Sequence, residues 1–397
     1  MTTSSTPISP EWTDGREHPL ARRSPSSRGW SRDRLQLLLG PAGVTLDGPE
    51  PHDIQVRDPR FFAAARRGAL GLGESYVEGW WECPRLDELA HRLLGAGLDR
   101  TGRWRPGEAF RRLAARLSPG TSRRRAFAIG RRHYDLGNDL FVAMLDRRMN
   151  YSCASWRDAR SLDEAQEAKL DLVCRKVGLR PGMRVLDVGC GWGGFARFAA
   201  ERHGASVVGV TVSREQATFA RGYVSGLPVE IVLADYRSLE GRFDAVVSIG
   251  MFEHVGRRHH RLFLEKVRSL LAEDGLFLLH TIGRNLSAVC TDPWIDRYVF
   301  PGSLIPSLAQ VARAAEGLFV VEDVHGFGPD YDRTLLAWNA NVEAHRRELA
   351  GRYDDRFFRL WRYYLLTCAG SFRARRNQLW QVVLSPRGVP GGYVAPR

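Results

Sequence analysis

The segment from Val185 to Gly194, with the sequence VLDVGCGWGG, constrains the fold of this chain more than any other segment. Mainly hydrophobic residues lead into three glycines at alternate positions, and the helix-like stretch FARFAA follows. We interpret this pattern as a buried strand, a tight turn and the start of a helix. Glycine adopts backbone conformations that are closed to other residues and lets a ligand approach the main chain. In parallel sheets, nucleotide-type ligands bind at this position, beyond the carboxyl end of a strand.

Strand-like and helix-like segments alternate through the second half of the chain. This alternation predicts an α/β fold with a doubly wound, mostly parallel sheet of seven strands. The predicted strands are 185–188, 206–210, 230–233, 243–248, 275–281, 319–324 and 378–384. Upstream, a smaller α-rich unit is expected, with a helix over 58–69 and an aromatic group formed by Tyr76, Trp80 and Trp81.

The length of 397 residues favours two or three domains. We expect a disordered leader at 1–31, an N-terminal domain at 32–120 with a basic linker to about 132, and a catalytic domain at 133–397. The leader lacks the apolar core of a secretory signal, and no apolar run is long enough to span a bilayer, so a cytoplasmic protein is predicted. Six cysteines without a Cys-x-x-Cys pair predict neither a metal site nor disulfides.

The chain is strongly basic, with a net charge of +13 and a pI of about 9.9. Residues 101–132 contain ten arginines and a single acidic residue, Glu108. Phe110, Leu113 and Leu117 fall on one face of a predicted helix within this segment. Two interpretations stay open, namely a helix that lies on an anionic bilayer and a solvated basic linker. The candidate membrane-binding residues are Arg111, Arg112, Arg116, Arg123, Arg124 and Arg125.

The spacing Asp-x-Gly-x-Gly-x-Gly that begins at Asp187 resembles the first motif of the class I S-adenosylmethionine methyltransferases. It differs from the dinucleotide fingerprint Gly-x-Gly-x-x-Gly. The resemblance implies S-adenosylmethionine as co-substrate, with Thr211 and Gln216 in place of the acidic residue that often holds the ribose. Asp235 is a candidate for holding the adenine and, alternatively, a helix N-cap. The candidate cofactor residues are Tyr151, Ser152, Asp187, Gly189, Gly191, Gly193, Thr211, Gln216, Asp235 and Tyr236.

Five longer segments extend the resemblance. They are HYDLGNDLF at 133–141, MNYSCA at 149–154, GMFEHVG at 250–256, HTIG at 280–283 and FGPDYDRT at 327–334. Together they resemble the cyclopropane-fatty-acyl-phospholipid synthase family over roughly residues 70–385. The resemblance implies transfer of a methylene group from S-adenosylmethionine to the cis double bond of an acyl chain in a membrane phospholipid.

The same resemblance implies a bicarbonate ion as the base, held by Cys153, Glu253, His280, the backbone of Ile282, and Tyr331. Cys153 is then a contact to an ion and not a covalent nucleophile. The resemblance also implies a homodimer. A protein of this kind is expected to lie peripherally at the inner face of the cytoplasmic membrane, in contact with anionic phospholipids that carry unsaturated chains.

Two other functions are weighed against this one. A related methyltransferase on the same scaffold would methylate carbon in a lipid or in a soluble small molecule without closing a ring. The high positive charge permits a nucleic-acid-binding protein, but the sequence contains no RNA-recognition motif, so no nucleic-acid partner is expected.

Overall fold

A computed structural model describes residues 31–99 and 137–397, and the chain divides into two compact units. The described part of the first unit comprises 31–99, 292–301 and 335–376, and that of the second comprises 137–291, 302–334 and 377–397. Two later segments, 292–301 and 335–376, belong to the first unit by this division, whereas the expected domain boundary near residue 133 stays a prediction. The six candidate membrane-binding arginines and the leader as far as residue 30 lie outside the described residues.

The helices in chain order are α1 (Arg32–Leu39), α2 (Arg60–Ala65), α3 (Ala69–Val77), α4 (Leu86–Gly95), α5 (Asn138–Met144), α6 (Leu162–Lys176), α7 (Gly194–His203), α8 (Arg214–Tyr223), α9 (His260–Leu270), α10 (Pro293–Tyr298), α11 (Leu308–Ala315), α12 (Pro329–Ala344), α13 (Arg346–Leu349) and α14 (Asp355–Arg373). The strands are β1 (Gln55–Val56), β2 (Trp81–Glu82), β3 (Arg184–Val188), β4 (Ser206–Thr211), β5 (Val229–Leu233), β6 (Phe243–Ile249), β7 (Leu271–Arg284), β8 (Val320–Gly326) and β9 (Asn377–Ser385). Short 3-10 turns lie at 40–42, 236–238, 252–254 and 257–259.

The first unit is α-rich, as expected, and is built around the contact between α4 and α14. Gly370 on α14 faces the main chain of α4 at Asp87, where a β-carbon would collide with the carbonyl oxygen. Arg373 pairs across the same contact with Asp87 at 2.9 Å. This packing explains why α14, which lies late in the sequence, belongs to the first unit. The helix expected over 58–69 is shorter, because α2 ends at Ala65 and Gly68, with a φ of 66°, precedes the start of α3 at Ala69.

The second unit contains a seven-stranded sheet in the order β5-β4-β3-β6-β7-β9-β8. β3, β4, β5, β6 and β7 run parallel, whereas β9 is antiparallel to both of its neighbours. All seven predicted strands are present, with β7 longer at both ends than predicted. The parallel register aligns Asp187 with Gly209 on one side and with Val247 on the other, so the carboxyl ends of β3, β4 and β6 meet at one edge.

Helices cover both faces of this sheet. On one face, Leu170 of α6 and Ala196 of α7 pack against alternate residues of the strands. On the other face, Phe263 of α9 and Val311 of α11 pack against the intervening residues. Serine side chains begin three of the helices by accepting from backbone N–H groups, namely Ser161 for α6, Ser213 for α8 and Ser307 for α11. Within the described residues, no helix is both long enough and apolar enough to cross a bilayer.

Candidate active site

The glycine-rich turn follows β3 directly. Gly189, Gly191 and Gly193 have φ values of 91°, 54° and 88°, which lie in the left-handed region that other residues rarely adopt. A β-carbon on Gly189 would also lie 2.6 Å from Cβ of Met251. Gly193 is the N-cap residue of α7. The turn therefore bends the chain sharply between strand and helix, and it keeps the space beyond the end of β3 open.

A cavity occupies that space. It is lined by segments that follow β3, β4, β5 and β6 and by the segment before α6. Nine of the ten candidate cofactor residues line it, namely Tyr151, Ser152, Asp187, Gly189, Gly191, Thr211, Gln216, Asp235 and Tyr236. The tenth, Gly193, forms the turn and is not among the lining residues. A pocket at the carboxyl ends of parallel strands is the position where such folds bind their ligands.

The residues after β4 orient each other. The Thr211 hydroxyl donates to Oε1 of Gln216 at 2.8 Å, and the Gln216 N–H donates to Oγ of Ser213 at 3.2 Å. Gln216 is buried, and the bond fixes its amide so that the nitrogen is held on the side away from Thr211. The pair thus presents neutral hydrogen-bonding groups, where an acidic residue would present a charge.

Asp235 is a cap residue, and its role toward the adenine stays a prediction. Its side chain caps the 3-10 turn over 236–238 by accepting from the N–H of Arg237 at 3.0 Å, and it also lines the cavity. The guanidinium of Arg237 donates to both carboxylate oxygens, at 2.8 and 2.6 Å. Arg237 also lines the cavity, although it is not among the predicted cofactor residues. Burial raises the pKa of the neighbouring Tyr236 to about 12, so this phenol stays neutral.

Asp187 is the most isolated carboxyl of the cavity wall. It is 2% exposed, and its Oδ2 has no hydrogen-bond partner among the described residues. Burial raises the pKa of Asp187 to about 7, although the nearby Lys169 acts in the opposite direction. Such a carboxyl favours a ligand that carries positive charge, since the ligand would stabilise its ionised form.

A second cluster contains Glu253, His280 and Ile282. Glu253 lies in the 3-10 turn after β6, and its Oε1 accepts from the N–H of Ile282 on β7 at 2.6 Å. β6 ends at Ile249, which pairs with His280, so the N–H of Ile282 has passed the end of that strand. We expected this N–H to contact bicarbonate, but in the structure it holds the carboxylate of Glu253.

Two atoms of this cluster are buried and have no hydrogen-bond partner in the described part of the chain, namely Oε2 of Glu253 and Nε2 of His280. Burial raises the pKa of Glu253 to about 6 and lowers the pKa of His280 well below its usual range. The imidazole is therefore neutral. Nε2 of Gln381, directly across on β9, lies 3.3 Å from Nδ1 of His280. An amide N–H that donates to Nδ1 leaves the proton of the ring on Nε2, as a donor.

The segment that follows Cys153 is bonded to Thr334 of α12, the helix that contains Tyr331. Thr334 accepts from the N–H of Ala154 at 3.2 Å and from the indole of Trp156 at 2.9 Å. Thr334 lies one turn after Tyr331, and both belong to α12. Burial raises the pKa of Cys153 well above its usual value. The residue is therefore a thiol and not an activated thiolate, and its contact with an ion stays a prediction.

Short connections relate both groups of residues, the one with Glu253 and His280 and the one with Cys153 and Tyr331, to the cavity. Ser152 lines the cavity and precedes Cys153 in the chain. The ring of Phe327, just before α12, lies 5.9 Å from that of His280. Gly250, which lines the cavity, donates its N–H to the carbonyl oxygen of His280 at 2.9 Å. Glu253, His280 and Cys153 thus lie close to residues that line the cavity, with His280 and Cys153 uncharged.

Comparison with known proteins assigns the family. Residues 121–382 match the model of a family described as mycolic acid cyclopropane synthetase. The chain belongs to this family. It is an S-adenosylmethionine-dependent methyltransferase with the α/β fold that the sequence predicted.

Individual relatives extend the match beyond that region. The cyclopropane-fatty-acyl-phospholipid synthase of Escherichia coli (strain K12) is 50% identical over 361 residues, which cover 91% of this chain and 94% of that protein. The tuberculostearic acid methyltransferase UfaA1 of Mycobacterium tuberculosis is 34% identical over 380 residues, which cover 87% and 88%. A crystal structure of mycolic acid cyclopropane synthase CmaA1 complexed with SAH and CTAB is 35% identical, has a TM-score of 0.61 and covers 65% of this chain and 97% of that chain.

Proposed function

We propose that the chain is a cyclopropane-fatty-acyl-phospholipid synthase. It would transfer a methylene group from S-adenosylmethionine to the cis double bond of an unsaturated acyl chain in a phospholipid. The observation that carries the proposal is the pair of buried atoms without partners, Oε2 of Glu253 and Nε2 of His280, beside the wall of a cofactor cavity. The high identity to the Escherichia coli synthase over nearly its whole length supports the same substrate class.

The reaction makes specific demands on the site. The methyl carbon leaves the sulfonium sulfur and forms a bond to one alkene carbon, which leaves a carbocation on the other. A proton must then depart from the new methyl group while the ring closes, and S-adenosylhomocysteine (SAH) is released. Because an alkene is a weak nucleophile, the methyl group has to be held close and in line. Water must be excluded, since it would capture the cation.

The donor set fits bicarbonate. Bicarbonate would supply the base for this proton when bound. Its hydroxyl needs an acceptor, which Oε2 of Glu253 offers, and its oxygens need donors, which Nε2–H of His280 and the phenol of Tyr331 offer. The neutral state of His280 keeps the donor in place without adding a second cation beside the sulfonium. In this proposal Ile282 acts through Glu253, whose carboxylate it orients.

The lipid must be reached from a membrane surface. We propose that the arginine-rich segment 101–132 binds anionic phospholipid head groups at the inner face of the cytoplasmic membrane, and that two copies of the chain form a dimer there. Guanidinium groups suit phosphate geometry, and each one near such a surface contributes about 1 kcal/mol. Replacing Arg123, Arg124 and Arg125 with glutamine should weaken cosedimentation with anionic vesicles by roughly tenfold or more. Unchanged cosedimentation, with SAH binding intact, would make the segment a linker.

Mass spectrometry tests the reaction directly. Vesicles of unsaturated phospholipid would be incubated with the protein and S-adenosylmethionine, with and without bicarbonate, and the lipids would be cleaved by ozone before analysis. A gain of one CH₂ with loss of the ozone-sensitive bond, dependent on bicarbonate, is the expected result. A gain of CH₂ with the double bond retained would favour a C-methyltransferase, the function that the relationship to UfaA1 suggests as the alternative. No lipid product, despite SAH binding, would contradict both and favour a soluble substrate.

A further inference from the structure

Side chains of helix α6 form hydrogen bonds with the part of the cavity wall that contains Ser152. Lys169, which is fully buried, places its Nζ 2.8 Å from Oγ of Ser152 and 3.4 Å from Oδ1 of Asn150. One turn earlier, the side-chain amide of Gln166 donates to the carbonyl oxygens of Ser152 at 2.9 Å and of Asn150 at 3.3 Å. Both Asn150 and Ser152 line the cavity. The helix therefore fixes the backbone of this wall through Gln166 and its side chains through Lys169.

The charge on Lys169 decides where the proton of Ser152 points. Burial lowers the pKa of Lys169 to about 8, while the carboxyl groups of Asp146 and Asp187 favour its charged form, so the ammonium is the main species at neutral pH. An ammonium can only donate hydrogen bonds. At this contact Oγ of Ser152 must accept, and its own proton is left to point away from Lys169.

We propose that Lys169 is a positioning residue of the cofactor site, which directs the hydroxyl proton of Ser152 into the cavity as a donor to the carboxylate of the methionine part of S-adenosylmethionine. A fixed positive charge behind the hydroxyl also favours a carboxylate over a cationic group at this point. The inference rests on the proposed placement of the cofactor in this cavity. The proposal gives a role to the buried ammonium of Lys169, which contacts two uncharged residues of the cavity wall, Asn150 and Ser152.

The chain offers a matched control on the same helix. Lys176 lies two turns after Lys169 and is also fully buried, and burial likewise lowers its pKa to about 8. Its Nζ contacts Oδ2 of Asp323 at 3.1 Å, and neither residue lines the cavity. Of the 58 basic residues in the sequence only three are lysines, at 169, 176 and 266. Replacing either buried lysine removes a buried ammonium from α6, but only one of them contacts the cavity wall.

Calorimetric titration with two ligands tests the proposal. SAH carries the carboxylate, and 5′-methylthioadenosine lacks the whole amino-acid part. Lys169→Met should weaken SAH binding by roughly ten- to a hundredfold, the range for a charge-assisted hydrogen bond, and should change 5′-methylthioadenosine binding by less than about threefold. Ser152→Ala should show the same selectivity. The double variant should bind SAH about as well as Ser152→Ala alone, because the two residues act through one interaction.

Other outcomes would overturn the proposal. If Lys169→Met loses affinity equally for SAH and for 5′-methylthioadenosine, Lys169 is a structural residue only. The same conclusion follows if Lys169→Met lowers SAH affinity as much in the Ser152→Ala background as in the wild type. Lys176→Met should lower the unfolding temperature and leave SAH affinity within about twofold, and a matching loss of affinity there would also contradict the proposal. If Lys169→Met does not fold, Lys169→Gln replaces it. Glutamine retains a neutral donor, so we expect SAH affinity between those of the wild type and Ser152→Ala.

A further variant separates this inference from the proposed function. Asp235→Ala should weaken both ligands, because Asp235 lines the part of the cavity assigned to the adenosine. If Asp235→Ala weakens both ligands but Lys169→Met weakens neither, only the role of Lys169 is wrong. If Asp235→Ala leaves both affinities unchanged, the cofactor does not occupy this cavity, and the placement proposed for the site fails together with the inference.

Discussion

Asp87 in the first unit has surroundings opposite to those of two buried carboxyl groups in the second unit, Asp187 and Glu253. In the first unit, Asp87 is 2% exposed and accepts hydrogen bonds from Arg85 at 3.0 and 2.9 Å, with Arg373 paired at 2.9 Å. Burial alone would raise the pKa of Asp87, but these two guanidinium groups outweigh it and lower the pKa to about 2. In the second unit, Asp187 and Glu253 are equally hidden, yet each has one oxygen without a partner among the described residues.

The difference distinguishes a carboxylate with a structural role, Asp87, from carboxyl groups whose hydrogen bonds a ligand could complete, Asp187 and Glu253. A paired carboxylate such as Asp87 stabilises the contact between two helices, and its pKa falls. Burial raises the pKa of Asp187 to about 7, because it outweighs the nearby Lys169, and raises the pKa of Glu253 to about 6. Ionisation of these two groups therefore opposes folding. Incomplete pairing of this kind is typical of sites where a bound group completes the hydrogen bonds.

The largest expected effect is on turnover, at Glu253. Glu253→Gln keeps an oxygen that can accept from the N–H of Ile282, but it replaces the unpartnered acceptor Oε2 with an NH₂ donor. We expect turnover to fall by roughly a thousandfold, as for the loss of a general-base site. Turnover is measured by release of SAH in the presence of unsaturated vesicles and bicarbonate.

Affinity for SAH, measured by calorimetry, is the control for this variant. It should change by less than about threefold, because Glu253 is not among the residues that line the cavity. Near-normal turnover would remove Glu253 from the mechanism.

The paired carboxyl should behave in the opposite way, with a loss of stability and no direct effect on the site. Asp87→Asn removes the charge that both Arg85 and Arg373 contact, so the free energy of unfolding at pH 7 should fall by about 2–3 kcal/mol. Because folding lowers the pKa of Asp87, its contribution is complete above about pH 4 and is lost as the pH falls towards 2. Urea unfolding at pH 7 checks this value, and a change below about 0.5 kcal/mol would show that the pairs contribute little.

Asp187→Asn is predicted to raise the free energy of unfolding, whereas Asp87→Asn lowers it. Folding raises the pKa of Asp187 from 3.8 to about 7, so its contribution is favourable below about pH 4 and is lost as the pH rises to 7. At pH 8 the ligand-free variant should be more stable than the wild type by about 1–2 kcal/mol, less than the full pKa difference implies because the amide is also buried. The gain should shrink at pH 5. A loss of stability like that of Asp87→Asn would mean that Asp187 has an effective partner in the ligand-free protein.

Sequence reasoning could predict what depends on local pattern. The glycine turn after Val188 and the seven strands follow from local pattern and spacing. Thr211 and Gln216, which line the cavity, are indicated by the resemblance to methyltransferases and by the rule that ligands bind at the carboxyl ends of parallel strands. The strand ends and the partners of buried polar groups could not be predicted in this way. The N–H of Ile282 is available to Glu253 only because β6 stops while β7 continues.

Contacts between distant segments were also out of reach. α14 belongs to the first unit because Gly370 admits the main chain of α4, and nothing in the sequence near Gly370 indicates which helix it meets. Lys169 illustrates the same limit. Its spacing from Lys176 indicates a shared helix face, but only the packed structure shows that one lysine contacts the cavity wall and the other contacts Asp323.

The smallest expected effect tests whether the donor on His280 is set by its neighbour. Gln381 is fully buried and directly opposite His280 in the strand register. Gln381→Leu retains a side chain of similar size but removes the amide that lies 3.3 Å from Nδ1. Without it the ring loses the contact that keeps its proton on Nε2, and turnover should fall by about tenfold, equivalent to about 1.4 kcal/mol. SAH affinity should be unaffected, since neither residue lines the cavity.

Gln381→Glu is a stronger test of the same point. A carboxylate accepts from Nδ1–H of His280, so the ring proton moves to Nδ1 and Nε2 becomes an acceptor. Turnover should then fall further than in Gln381→Leu, although Glu matches the size and polarity of Gln. If the two variants are equally active, Gln381 only fills space beside the ring. In that case the proton of His280 would not be set by a specific hydrogen-bond partner. The site would then lack the kind of specific pairing that Asp87 has with Arg85 and Arg373 in the first unit.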